Sequence, residues 1–191
     1  MNEIINRVSK HTSDKKLRNP HLVDALKEIS EAEYDILCKK TKLTRAEFAS
    51  VLNYALKNGV NIITLNIKQF TKENENELSR ITNYTYLSHG VKWFVLDSLT
   101  DISKKAADAI RWLQFLSLWW LKTITPDIAA KFSNIRFLYL DWLTEVDADT
   151  IVKLWKKECL SMRNIKGKPE LNNKILSQIK TLYIGDNLYT G

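Results

Sequence analysis

Three histidines, His11, His21 and His89, and two cysteines, Cys38 and Cys159, are the side chains best suited to hold a metal or act as nucleophiles. Their spacing supports neither role. There is no His-Glu-x-x-His pair and no Cys-x-x-Cys hook, so no ligand set for zinc can be assembled from neighbours in sequence. Gly167-Lys168 lacks the earlier glycine and the following Ser or Thr of a phosphate loop. The expectation is a chain without catalytic residues, cofactor or metal. Cys159 falls at an outward position of a short alternating segment, where its thiol should meet solvent. Two cysteines make no disulfide framework and suit a reducing compartment.

Aromatic side chains are the other chemistry on offer, and they recur at a fixed interval. Segments beginning at Lys92, Gln114, Arg136, Glu158 and Lys180 align at a period of 22 residues. Three apolar columns run through them: Phe94, Leu116, Leu138, Leu160, Leu182; then Leu96, Leu118, Leu140, Met162, Ile184; then Leu99, Leu121, Leu143, Ile165, with Asn187 breaking the last. A fourth reads Ile110, Phe132, Leu154, Leu176. Eighteen of these 19 places are apolar in a chain that is 45% apolar overall, so the repeat is not a product of composition.

Each unit alternates apolar and outward residues, the mark of a short strand with one buried face. A helix should follow, capped by Ser103, Thr125 or Asp147 in one column, with Pro126 at a first helical position. One strand and one helix cannot bury their apolar sides alone, but stacked copies can. The segments resemble the leucine-rich repeat, whose strand signature is Leu-x-x-Leu-x-Leu. The opening position reads Val91, Leu113, Ile135, Lys157, Ile179, so Lys157 departs. The family's Asn or Cys after the strand is replaced here by Leu99, Leu121, Leu143 and Ile165, so the turn must satisfy its backbone by other means. The resemblance implies an α/β fold: a short solenoid with parallel strands on one face and helices on the other. Gly167-Lys168-Pro169 predicts a delayed or shortened helix in the fourth unit.

Upstream, helices are expected from Asn19-Pro20, Ser30 and Thr44. Thr44 and Glu47 form a capping box and Gly59 a stop. Residues 1–59 then make an N-terminal helical cap, and residues 60–191 the repeat body. Its first strand carries Ile63 and Leu65 at buried places. That first unit is about nine residues longer than the others, with the excess near Asn74–Ser88. Residues 1–18 are polar and expected to be partly disordered. The strand near Lys180–Gly185 needs a partner on its far edge, unless the array continues.

Among the 20 outward strand positions, 8 are aromatic, where 10% overall composition predicts two. Trp93, Phe115 and Phe137 should stand side by side at about 4.8 Å, and Trp120 and Trp142 should form a second ladder. Trp119, Tyr139 and Tyr183 share the face. A contiguous apolar patch of this kind marks an interaction surface. Asp97 and Asp141 in the same columns suggest a protein or peptide partner of cationic character. A second copy of the chain, joined through this face or the C-terminal edge strand, is the rival occupant.

The net charge of +7 is thinly spread, unlike the concentrated footprint of a nucleic-acid binder. The alternative function is nonetheless nucleic-acid binding through residues 36–58, a helix-turn-helix outline with Lys39, Lys40, Lys42 and Arg45 clustered. No apolar run approaches the roughly 20 residues that span a bilayer, and the start of the chain lacks a secretory signal. The expectation is a cytoplasmic, non-enzymatic protein-interaction module.

Overall fold

In the computed structural model, residues 28–82, 91–154, 156–166, 179–185 and 187–190 are described. The expectations for His11, His21, His89, the Asn19-Pro20 helix start, residues 1–18 and the Gly167–Pro169 interruption lie outside them. The helices start where the capping residues predict. Ser30 opens α1 (Glu31–Cys38): its hydroxyl accepts the Glu33 amide at 3.3 Å, and the Glu33 carboxylate accepts the Ser30 amide at 2.9 Å. Thr44 and Glu47 repeat this box at α2 (Arg45–Lys57), with 3.3 and 2.8 Å. α2 ends because Gly59 takes a φ of +65°. That left-handed residue lets Val60 donate to the Ala55 carbonyl at 2.8 Å and Gly59 to Leu56 at 3.4 Å.

Beyond Gly59, strands and helices alternate. β1 (Ile62–Thr64), α3 (Lys72–Thr82), β2 (Trp93–Val95), α4 (Lys104–Ile110), β3 (Phe115–Ser117), α5 (Pro126–Lys131), β4 (Phe137–Tyr139), α6 (Ala148–Lys153) and β5 (Cys159–Met162) are followed by β6 (Thr181–Ile184) and β7 (Asn187–Thr190). Ser103, Thr125 and Asp147 accept the amides of Ala106, Ile128 and Thr150 at 3.1, 3.4 and 2.6 Å. α3 is 11 residues long against 7, 6 and 6 for α4, α5 and α6, so the extra length of the first unit partly extends its helix.

The chain is α/β. Its open seven-stranded sheet runs in sequence order from β1 to β7, and β1 to β6 are parallel. The register pairs Trp93 with Phe115, Phe115 with Phe137, and Phe137 with Cys159, each a step of 22 residues. Each helix from α1 to α6 contacts the next one in sequence. One continuous buried cluster joins the inward strand residues Ile63, Phe94, Leu116, Leu138, Leu160 and Leu182 to Ala107, Ile110 and Ala129 of the helices, Phe132 at the end of α5, and Phe48 and Leu52 of α2.

At the β1 end, Asn66 and Lys68 donate backbone hydrogen bonds to the carbonyls of Cys38 and Thr41 at 2.9 and 3.1 Å, so the loop after α1 covers that edge. At the other end the edge strand near Lys180–Gly185 does find a partner. Gly185, at φ +55°, starts a tight reversal, and β7 pairs antiparallel with β6.

The turns after β2, β3 and β4 meet their backbone needs through main-chain bonds. Within a unit, Leu99 donates to Leu96, Leu121 to Leu118 and Leu143 to Leu140, at 3.0, 3.1 and 3.0 Å. Between units, Trp120 donates to the Asp97 carbonyl, Trp142 to Trp119 and Asn164 to Asp141, at 3.2, 2.9 and 2.9 Å. The departure at Lys157 is also resolved. It is 2% exposed among the apolar residues of its column, and its ammonium donates to the carbonyls of Phe132 and Ser133 at 2.6 and 2.7 Å. These carbonyls lie at the C-terminal end of α5, where unpaired carbonyls and the helix dipole both favour a cation.

Candidate protein-binding face

The parallel register fixes which outward side chains are neighbours. Ile62, Trp93, Phe115, Phe137, Cys159 and Thr181 form one row, and Thr64, Val95, Ser117, Tyr139, Ser161 and Tyr183 form the next. Trp93 stacks on Phe115 at 5.2 Å between centroids and 25° between planes. Phe115 in turn meets Tyr139, across the diagonal of the next strand, at 5.2 Å and 36°. Beyond the strand ends, Trp120 stacks on Trp142 at 4.2 Å and 20°. Trp93, Trp119, Trp120 and Trp142 remain 40 to 44% exposed, unusually open for tryptophan. Phe115, Phe137, Tyr139 and Tyr183 are partly buried. Tyr183 also lies beneath the guanidinium of Arg163, 5.2 Å from its centroid.

Two of the expected contact residues do something else. Asp141 is 2% exposed. Its carboxylate accepts the Ser161 hydroxyl and, at 3.3 Å, the Arg163 amide. Asp97 repeats this one pair of units earlier, accepting the Ser117 hydroxyl and, at 3.4 Å, the Trp119 amide. Strand alternation placed both on the outward face. The chain leaves strand geometry at these positions, however, and the carboxylates turn toward the next unit's turn. Both carboxylates accept from neutral donors, which hold them in place without neutralising their charge.

Cys159 is a second correction. It is 8% exposed rather than open to solvent, because Tyr139 leans over it with its hydroxyl 3.7 Å from Sγ. Burial raises the Cys159 thiol above its ordinary range and pushes the Tyr139 phenol up to about 12. Ser161, between Tyr139 and Tyr183 in the row, is fully buried and donates its hydroxyl to Asp141.

No family model matches the chain, and no curated protein sequence does. The face is therefore interpreted from its own chemistry. Among the described residues, no group of three or more His, Cys, Asp or Glu side chains is placed to hold a metal ion. No described helix is long and apolar enough to cross a membrane.

The basic cluster of the alternative function sits on the loop between α1 and α2 (Lys39, Lys40, Lys42) and at the first residue of α2 (Arg45). Lys40 is paired with Glu47 at 2.6 Å and Arg45 with the buried Glu77 at 3.2 Å, while Lys39 and Lys42 are exposed with no ion pair among the described residues. Two of the four charges are thus held by carboxylates of their own fold. A cleft of about 340 Å³ lies where α1 borders the sheet, lined by Asp35, Cys38 and Lys39 on one side and Thr64, Val95 and Asp97 on the other. α1 thereby forms a wall at the β1 end of the aromatic face.

Sequence reasoning missed Ile62 and Leu188, which are 46 and 56% exposed. Ile62 extends the row of Trp93, and its register with that residue was the signal that could have found it. It also missed the pairing of units, although alternation in one column (Asp97, Trp119, Asp141, Arg163) and the adjacent one (Val95, Ser117, Tyr139, Ser161) spells it out at a spacing of two units.

Proposed function

We propose that this protein is a leucine-rich-repeat-type solenoid that binds a protein partner through the outward face of its strands and performs no chemistry of its own. Residues 1–59 serve as the helical cap at the β1 end and residues 60–191 as the repeat body. Trp93, Phe115, Trp119, Phe137 and Tyr139 are the anchors, with Trp120, Trp142 and Tyr183 extending the surface. The observation that carries this reading is the row of exposed Trp93 and half-buried Phe115 and Phe137 on consecutive parallel strands, beside the exposed Trp119, Trp120 and Trp142 just past the strand ends. A contiguous apolar surface with tryptophan and tyrosine at its centre has the composition of a binding hot spot.

Truncating a central anchor typically costs about 2 kcal/mol or more, roughly 30-fold in affinity. The test is quantitative partner capture by wild type, Trp119→Ala and Phe137→Ala, beside a variant in which Lys39, Lys40, Lys42 and Arg45 become alanine. Loss in the first two and retention in the last supports the face. Full-strength binding by both aromatic variants refutes it, and salt-sensitive DNA binding that the basic variant abolishes would install the alternative. Light scattering of wild type and of a Phe115→Ala/Phe137→Ala variant decides self-association: a dimer that becomes a folded monomer makes a second copy the occupant.

A further inference from the structure

The sheet has two outer edges, and the fold treats them differently. Just past β1, the amides of Asn66 and Lys68 bond to the carbonyls of Cys38 and Thr41 in the segment that follows α1. At the opposite end β7 pairs with β6 on one side only and is last in the strand order. Sheets commonly blunt such an edge with lysine, proline or an inward-pointing charge. Asn187-Leu188-Tyr189-Thr190 contains none of these, and Leu188 is 56% exposed.

The register of the β6–β7 hairpin says which backbone groups this edge offers. Ile184 and Asn187 close the turn, so they face each other across it, as do Leu182 and Tyr189 further along. Upstream units keep the same orientation: Leu96, Leu118 and Leu140, in the column of Ile184, each donate to the following strand. The amides and carbonyls of Leu188 and Thr190 therefore point away from β6, and they have no partner among the described residues. Side chains alternate too. Tyr189 lies opposite Leu182 and packs against the core, while Leu188 lies opposite Tyr183 and prolongs its row on the outward face.

We infer that β7 is a dimerisation edge, pairing antiparallel with β7 of a second copy of this chain about a two-fold axis at Tyr189. That rotation brings the two outward residues onto each other. Leu188 meets Thr190 of the partner subunit, and Thr190 meets Leu188 of the partner subunit, each pair exchanging both of its backbone hydrogen bonds. Tyr189 faces Tyr189 of the partner subunit at the non-hydrogen-bonded position between them, where side chains come closest and aromatic pairs stabilise. The strand carries no charge to set against its own copy, which would oppose the pairing.

With the β1 end occupied by its own chain, each copy has one edge to give, so the assembly closes at two rather than growing into a fibre. Area decides its strength. A pair of four-residue strands buries less than the about 1,200 Å² at which stable interfaces begin, so the dimer dissociates readily on dilution. The two-fold axis crosses the sheet, so both aromatic faces lie on the same side and stay open. The inference goes beyond the proposed function and does not depend on it.

The test is sedimentation equilibrium of the full chain from about 10 µM to about 1 mM, with circular dichroism checking each fold. Wild type is compared with Leu188→Pro, Leu188→Lys and Phe115→Ala/Phe137→Ala. Proline at this position deletes an amide that β6 does not use, so the hairpin keeps its ladder. If it nonetheless unfolds, the lysine variant carries the comparison. Wild type and the phenylalanine variant should dimerise alike, and both Leu188 variants should associate at least about tenfold more weakly. Amide exchange on wild type reads the register: Leu188 and Thr190 should gain protection as concentration rises. A wild type still monomeric at about 1 mM overturns the inference, and so does a dimer that survives both Leu188 substitutions. A dimer lost only in the phenylalanine variant overturns it as well and assigns self-association to the aromatic face.

Discussion

Replacing Lys157 by methionine removes an ammonium that the fold has taken almost wholly out of water. Burial pushes the Lys157 pKa down to about 8 from an ordinary value of 10.5. At about 1.36 kcal/mol per pH unit, that difference is worth up to about 3 kcal/mol. The two short bonds to Phe132 and Ser133 favour the charged form and oppose that displacement. Below pH 8 the folded and unfolded chains both hold the proton, and the desolvation cost is carried in full. Between pH 8 and 10.5 the folded chain has released a proton that the unfolded chain still binds, so stability rises with pH. Urea unfolding followed by circular dichroism at pH 7 and pH 10 reads this directly. Subtracting the methionine variant cancels the tyrosines and every other shared group. Wild type should gain about 2 kcal/mol on the variant between those two pH values, with equal denaturant slopes. A gain below about 0.5 kcal/mol, or a loss, refutes the claim that the ammonium is buried without a counter-charge.

Asp141→Ala should lower stability by about 2–3 kcal/mol in the same assay, because it strands the buried Ser161 hydroxyl and the Arg163 amide. Asp97→Ala should cost less, about 1 kcal/mol, because water reaches its more exposed site. Thr44→Ala removes one half of the α2 capping box and should cost about 1 kcal/mol. Cys159 should resist alkylation in the folded chain, and Tyr139→Ala should speed its labelling by about tenfold or more. Equal rates in both proteins would show that the tyrosine does not shield the thiol.

Much of the α/β body could be read from the residues because its signals are local and repeated. Ser103, Thr125 and Asp147 occupy one column, and the stack needs each of them to do the same thing. The apolar columns fix the register between strands, because a slip of one residue would turn every leucine outward.

The site was less legible where side chains act beyond the reach of a period-two rule. Asp97 and Asp141 lie two residues past the ends of β2 and β4, where the backbone is already turning. Lys157 looks like an error in an apolar column until its long stem is seen to carry the ammonium to carbonyls of the previous unit. Asn187 breaks the third apolar column because it begins β7 rather than closing a turn. The order Ile184-Gly185-Asp186-Asn187 between apolar runs is a hairpin signature that the 22-residue alignment hid.

That hairpin changes what the sheet can template. Every strand from β1 to β6 exposes the next edge with the same polarity, so each could accept another copy of the unit in the same direction. β7 occupies the last such edge running the other way. A further parallel unit finds no place beside β6, and growth by stacking halts there. The polarity reversal is a terminator written in four residues, and it sets how many rows of aromatics the face can have. The outward face of the sheet is thus bounded at one end by a loop hydrogen-bonded to the residues just past β1 and at the other by a strand that runs backward.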